Sequence, residues 1–459
     1  MSDSRLREIL ACPRCDKAPP EISNGGYRCN GCKTEFPSVA EIPWLFAEPD
    51  ASLGEWRNRL HFELQRLANE IQQLKSELGA GGLLVQTEER LELELQATSE
   101  HRQTLQRMLA PIDVHPMQAT FESHLALRTR LPQEQGLNTY YANVHRDWAW
   151  GDDENASSLN ELREALHASD DGGETVGKTL VLGSGAGRLA YDIHMGLAAT
   201  LTVAMDFNPL LMLIADAVTR GKPLNLYEFP IAPRTSKEVA VLRELAAPLA
   251  VRDGFLLVLG DVLRAPFRSA AFDTVVTPWL VDIVCEDLPV MASRINRLLR
   301  VGGRWINFGS LAFEHAEHAR RYGPEETIAI VQQCGFEAPH VREETIPYMC
   351  SPASRHGRKE TVFTFAATKN VDVSPPPRHR ALPDWIVTGK EAVPVTPSFR
   401  TQALTTRIYS YIMSLIDGRR TIEDMAAILE QQKLMPRAEA IPAIRNFLTR
   451  MYDDSQRQG

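Results

Sequence analysis

Short apolar runs alternating with stretches of helical spacing dominate the middle of the chain. TLVLG, beginning at Thr179, and LTVAM, beginning at Leu201, are unbroken apolar segments of the kind that form buried parallel strands, and a helical stretch follows each. FLLVLG, FDTVVTPW and GGRWINFG continue the series, and ETVFTFAAT reads as a late strand. Strands separated by helices predict an α/β fold with a doubly wound, Rossmann-like sheet, here over residues 137–370. Before it the pattern changes. LHFELQRLANEIQQLKSEL spaces apolar residues three and four apart with charges between, GAGG at 79–82 breaks it, and LELELQATSEHRQTLQRML resumes it. This predicts a helical hairpin within 51–136, packed on the main body. A coiled coil making a homodimer is the alternative, although clean heptads are few.

The two ends differ in texture. Residues 1–50 carry paired cysteines and strand-like pieces such as GYRCN, and 371–384, with VSPPPRHRALP, reads as a proline-rich linker. In 385–459, WIVTGKEAVPV suggests short strands. RIYSYIMSLIDGRRTIEDMAAILEQQ gives two helices around a DGRR turn, and AEAIPAIRNFLTRMY gives a last helix. A chain of 459 residues is too long for one ordinary core, so several domains are expected. Its net charge of −9 offers no general basic field and argues against nucleic acid as the partner. No secretory signal stands in MSDSRLREILACPRC, and no run of 18 apolar residues occurs, so a cytoplasmic protein without a membrane partner is expected.

The seven cysteines divide unevenly, with Cys285, Cys334 and Cys350 scattered in apolar surroundings. Cys12, Cys15, Cys29 and Cys32 form C-x₂-C, thirteen residues, C-x₂-C, the spacing at which two tight knuckles present four thiolates to one structural zinc. Zinc would stabilise a segment too small to fold on its own core.

The central chemical signal is TLVLGSGAGRLAYDIH, an apolar strand that runs into Gly183-Ser184-Gly185-Ala186-Gly187, with Arg188 opening a helix. Glycines there allow a sharp turn and close approach to a ligand. The next strand ends in Asp206-Phe207, where a carboxylate can accept both hydroxyls of a ribose. Asp261 and Val262 follow the third strand, where an acid can take an adenine amino group, and RLLRVGGRWINFG enters a fifth. This order suits S-adenosyl-L-methionine better than NAD, because Arg188 and Leu189 stand where G-x-G-x-x-G spacing would need its last glycine.

From Tyr140 to Lys369 the chain resembles the carnosine N-methyltransferase family. The resemblance lies in YYANVHRDWAWG, LVLGSGAGRLAYDI, NPLLMLIADAV, NLYEFP, GDV, WLVD and GGRWINFGSLAFEH. It implies an adenosylmethionine-dependent N-methyltransferase acting on the imidazole of a small molecule or peptide. It adds Asn143, Arg146 and Pro278 to the cofactor's neighbourhood, with Arg146 facing the methionine carboxylate, and it makes Asp282 the substrate-contacting acid. Two departures stand out. Glu314, with His315 beside it, occupies the place of the family's histidine, and RHGRKE replaces a tyrosine-rich run. LREILACPRC with CKTEFPSVAEIPWLF resembles the zinc-ribbon activator subunit of tRNA and protein methyltransferases. YIMSLIDGRRTIEDMAAIL resembles the winged-helix peptide chaperone of pyrroloquinoline quinone biosynthesis, which implies peptide binding. RNA or protein methylation, and an adaptor built on a methyltransferase scaffold, remain the alternatives.

Overall fold

Seven strands build the central sheet of the structure, which is a computed structural model. They are β1 (Thr175–Leu182), β2 (Ala198–Asp206), β3 (Phe255–Leu259), β4 (Phe272–Pro278), β5 (Leu299–Phe308), β6 (His340–Tyr348) and β7 (Arg358–Thr368). Their spatial order is β3-β2-β1-β4-β5-β7-β6. The first five run parallel, while β7 lies antiparallel to β5 and β6 antiparallel to β7. Residues 4–16, 20–23, 25–112, 137–169, 175–315, 317–376, 392–395 and 397–457 are described.

Helices Arg188–Gly196, Pro209–Thr219 and Leu288–Leu298 make the crossovers, and Val181, Val203, Val275 and Ile306 are fully buried. This is the α/β, doubly wound, Rossmann-like sheet anticipated from the apolar runs. The winding reverses between β1 and β4, which opens a crevice at the carboxyl ends of those strands. One inserted hairpin, Leu224–Glu228 with Val241–Leu245, interrupts the path from helix Pro209–Thr219 to β3.

The N-terminal segment folds as a short helix, Ser4–Ile9, and small antiparallel strands, Pro20–Ser23, Gly26–Cys29 and Glu35–Phe36. Leu6, Ile9, Leu10, Phe36 and Leu45 share one buried cluster with Val203, Val258, Phe267 and Phe272 of the α/β body. Backbone bonds reinforce the packing, from Ala11 N to Pro266 O (2.9 Å) and from Arg268 N to Ile9 O (2.9 Å). Leu45 N donates to Leu259 O at 2.7 Å and Trp44 bridges Leu259 in parallel sense, so this stretch covers the free edge of β3.

Helices Pro49–Ala80 and Val85–Met108 form the hairpin, and the chain turns at Gly81 and Gly82 (φ 71° and 77°). Trp56, Leu60, Leu105 and Leu109 pack in one cluster with Tyr141, Val144 and Leu210, so the pair lies on the α/β body.

The chain divides into two units, Met1–Ala381 and Leu382–Gly459. In the second, helices Pro397–Ser414, Ile422–Gln431 and Arg437–Arg457 surround Ile412, Leu415, Met425, Leu429 and Ile444. Asp417 accepts the amides of Arg419 and Arg420 (2.9 Å each) at the DGRR turn. Of the expected strands at 385–395, residues 385–391 lie outside the described residues, and 392–395 form no strand. No helix among the described residues is long and apolar enough to cross a membrane.

Candidate active site

The glycine loop after β1 turns back on β2. Gly183 N and Ser184 N both donate to Met205 O (2.9 and 3.0 Å), and Gly183, Gly185 and Gly187 have φ of 69°, 58° and 84°. A Cβ on Gly183 would come within 2.8 Å of Leu280, whereas the side of Gly185 faces open space. Glycine is needed on both grounds, conformation and approach. Asp206, at the end of β2, is buried and receives Gly185 N on Oδ2 and Asn208 N on Oδ1, each at 2.8 Å. Burial pushes its carboxyl up to about 6, although these amides and that of Phe207 pull it down.

The HRDW element wraps over this loop. Helix Tyr141–His145 passes into a π-helical turn, Arg146–Trp150, and Trp148 Nε1 donates to Ala186 O at 2.9 Å. Arg146 Nε and Nη2 donate to Asp147 Oδ1 (2.9 and 2.7 Å), and its guanidinium lies 5.7 Å from the ring centre of Tyr348.

One cavity gathers Asn143, Arg146, Gly183, Ser184 and Gly185 with Asp206, Phe207, Val262 and Pro278. Gly187, Arg188 and Asp261 do not line it. Gly187 caps the helix after β1. Arg188 is committed elsewhere, donating to Asp147 O (2.6 Å), Asp192 (3.0 Å) and Asp152 (3.3 Å) beneath the HRDW turn, so it buttresses the cavity wall. Asp261 Oδ1 accepts from Leu263 N at 2.9 Å and caps the short turn Val262–Arg264.

Asp282, just beyond β4, is buried and, unlike its neighbours Leu280 and Ile283, does not line the cavity. Its Oδ2 accepts from Ser310 Oγ (2.7 Å) and Ala312 N (2.9 Å) in the loop after β5, while its Oδ1 is buried without a hydrogen-bond partner. Glu314 is exposed and His315 half-buried, its Nδ1 accepting from Glu317 N at 3.0 Å; neither lines the cavity.

Sequence reading missed Trp279, Tyr348 and Glu154, all of which line the cavity. Trp279 sits at φ 48°, donates its amide to Phe308 O (2.7 Å) and places its ring 4.8 Å from that of Tyr348. Gly309 makes room for it, since a Cβ there would come within 2.9 Å of the Trp279 backbone. The strained, ring-walled position of Trp279 fits a ligand-facing role, and the Gly-Ser step after GGRWINF was the one sequence cue available for it.

In the N-terminal segment the Sγ atoms of Cys12, Cys15, Cys29 and Cys32 lie within 4.8 Å of one another. The Cys12–Cys32 and Cys15–Cys29 separations are 3.6 and 3.5 Å. Bonds of about 2.3 Å to a tetrahedral zinc require sulfurs about 3.8 Å apart, so the four thiols fit that ion with small adjustments. Asp16 N→Cys12 O and Lys33 N→Cys29 O (2.9 Å each) close the two knuckles. Arg264 reaches from the turn beside Val262 to Pro13 O and Arg14 O, tying a knuckle to the cavity wall.

Residues 129–370 match the family model described as Carnosine N-methyltransferase. A carnosine N-methyltransferase of Dictyostelium discoideum is 27% identical over 151 residues, which is 29% of this chain and 32% of that protein, so the match spans about a third of the relative. Among solved structures, a Methanosarcina mazei SAM-dependent methyltransferase is 14% identical over 45% of this chain and 97% of its own, with a TM-score of 0.31. Haemonchus contortus phosphoethanolamine N-methyltransferase 2, solved with S-adenosyl-L-methionine, is 14% identical over 52% of this chain and 62% of its own, with a TM-score of 0.32.

Proposed function

Because the chain belongs to the carnosine N-methyltransferase family, we propose that it transfers a methyl group from S-adenosyl-L-methionine to an imidazole nitrogen of a histidine-containing small molecule or peptide. The observation that carries the acceptor is Asp282. One of its oxygens is fixed by Ser310 and Ala312, and the other is buried and unpaired. A buried carboxylate oxygen without a donor is costly, and an N–H from a bound ligand would relieve it. Imidazole supplies that N–H on one nitrogen and a lone pair on the other.

The cavity residues fit the cofactor by their chemistry. Asp206 can accept ribose hydroxyls, Gly185 leaves room for close approach, and Arg146 can meet a carboxylate. Bound there, the cofactor supplies an electrophilic methyl group on a sulfonium. Asp282 would hold the imidazole in the tautomer that leaves the attacking nitrogen unprotonated. As the methyl group passed from sulfur to the ring nitrogen, the Asp282 carboxylate would stabilise the positive charge that the ring gained, and the ring would then give up its proton to solvent. Trp279 and Tyr348 would wall the acceptor side and exclude water. Zinc on the four cysteines would hold the N-terminal segment against the turn at Val262.

Calorimetry of the zinc-loaded protein with adenosylhomocysteine tests the cofactor site. Labelled adenosylmethionine offered with carnosine, histidine and histidine-containing peptides tests the acceptor. Label on an imidazole nitrogen is the expected result; label confined to thiols, carboxylates or RNA overturns the assignment.

A further inference from the structure

Glu154 stands in the first turn of helix Asp152–Ser169, 6% exposed and at the cavity wall. Both of its carboxylate oxygens accept from consecutive backbone amides across the cavity, Oε2 from Met349 N at 3.0 Å and Oε1 from Cys350 N at 2.8 Å. Successive amides turned toward one anion are a favourable arrangement, and they satisfy a charge that would otherwise be expensive to bury. Met349 lies at φ 55°, a left-handed conformation uncommon for its residue type, at the point where the chain leaves β6. Tyr348 precedes it directly. Its ring centre lies 4.8 Å from that of Trp279, 4.8 Å from the guanidinium of Arg358 and 5.7 Å from that of Arg146. Beyond the clamp the loop continues to the inserted segment, where Arg355 N donates to Ala232 O at 2.9 Å.

We propose that Glu154 is a positioning residue, a latch that fixes the start of the β6–β7 loop so that Tyr348 closes the cavity over Arg146. The latch sets how firmly the amino-acid end of the cofactor is enclosed. This rests on reading the cavity as the adenosylmethionine site. Glu154→Gln replaces one acceptor oxygen with a donor that opposes an amide N–H, and Glu154→Asp shortens the reach so that one amide loses its partner.

Hydrogen exchange at Met349 and Cys350 is expected to quicken by about tenfold or more in either variant, with the melting temperature within a few degrees of wild type and adenosylhomocysteine bound about tenfold more weakly. In a Tyr348→Ala background, Glu154→Gln should weaken that binding by less than about twofold further, because its effect runs through the ring. Unchanged exchange at Met349 and Cys350 in both variants overturns the latch. So does an undiminished effect in the Tyr348→Ala background. Failure of the wild type to bind adenosylhomocysteine instead removes the cofactor reading, while the exchange rates still decide whether Glu154 holds the loop.

Discussion

Asp206 combines deep burial with the charge that the proposed ribose contact requires. Burial pushes its carboxyl from the ordinary 3.8 up to about 6, outweighing the amides of Gly185 and Asn208. Only the ionised form accepts hydroxyl donors on both oxygens. Above pH 6 the site is ready; as pH falls through 6 the free protein takes up a proton that binding must expel. Adenosylhomocysteine affinity should therefore be flat from pH 7 to 8 and fall roughly tenfold per unit below about 6, with proton release visible when calorimetry is repeated in buffers of different ionisation enthalpy. Asp206→Asn should bind weakly and lose the pH dependence. Asp282→Asn, by contrast, is expected to lower kcat by about 10²–10³-fold while adenosylhomocysteine affinity stays within about twofold, as steady-state kinetics and calorimetry would show. That Asp206 would reach the cavity was legible in sequence because it ends an apolar run, whereas Asp282, which closely follows one, is buried outside the cavity lining. Glu154 and Tyr348 were not legible, since one is an acid among acids at a helix start and the other closes a strand with no apolar pattern.

Among elements, β1 to β5 were readable because strands buried on both faces are nearly unbroken in apolar residues. β6 was not. HVREETIPY is exposed along most of its length, as an edge strand should be, and its charges resemble those of a solvated loop. The pairing of Leu45 with Leu259 was equally hidden, because it depends on backbone atoms far apart in sequence. Arg264 joins the cysteine knuckle to the cavity wall, so stripping metal with a chelator, or substituting Cys12→Ser, should release one equivalent of zinc, lower the melting temperature and weaken adenosylhomocysteine binding together. Loss of zinc without any change in the other two would show the segment to be an independent appendage. Trp56→Ala, which empties a site only 1% exposed between hairpin and sheet, should cost about 3–5 kcal/mol of unfolding free energy by denaturant titration.

For the whole molecule, the division at Ala381–Leu382 separates two sets of buried clusters. A chain ending at Ala381 is expected to keep its melting transition and its turnover of free imidazole compounds. If the last unit captures peptides, turnover of a peptide acceptor alone should fall. The proline-rich stretch after Val371 advertised the division in sequence, and the helical spacing of 51–136 pointed to a hairpin packed on the main body, but no apolar pattern announced that the cysteine segment would share buried surface with the sheet. That sharing depends on shape rather than composition.

The edge cover on β3 also constrains the order of events during synthesis. Trp44 and Leu45 leave the ribosome roughly 200 residues ahead of Leu259, so at ~5–20 residues per second they wait tens of seconds for their partner. During that interval the N-terminal module must hold itself together by local contacts and, on the proposed reading of its four thiols, by zinc. Cells starved of zinc should therefore lose this protein at birth, as nascent chains that clump or are degraded, more than they inactivate copies already finished.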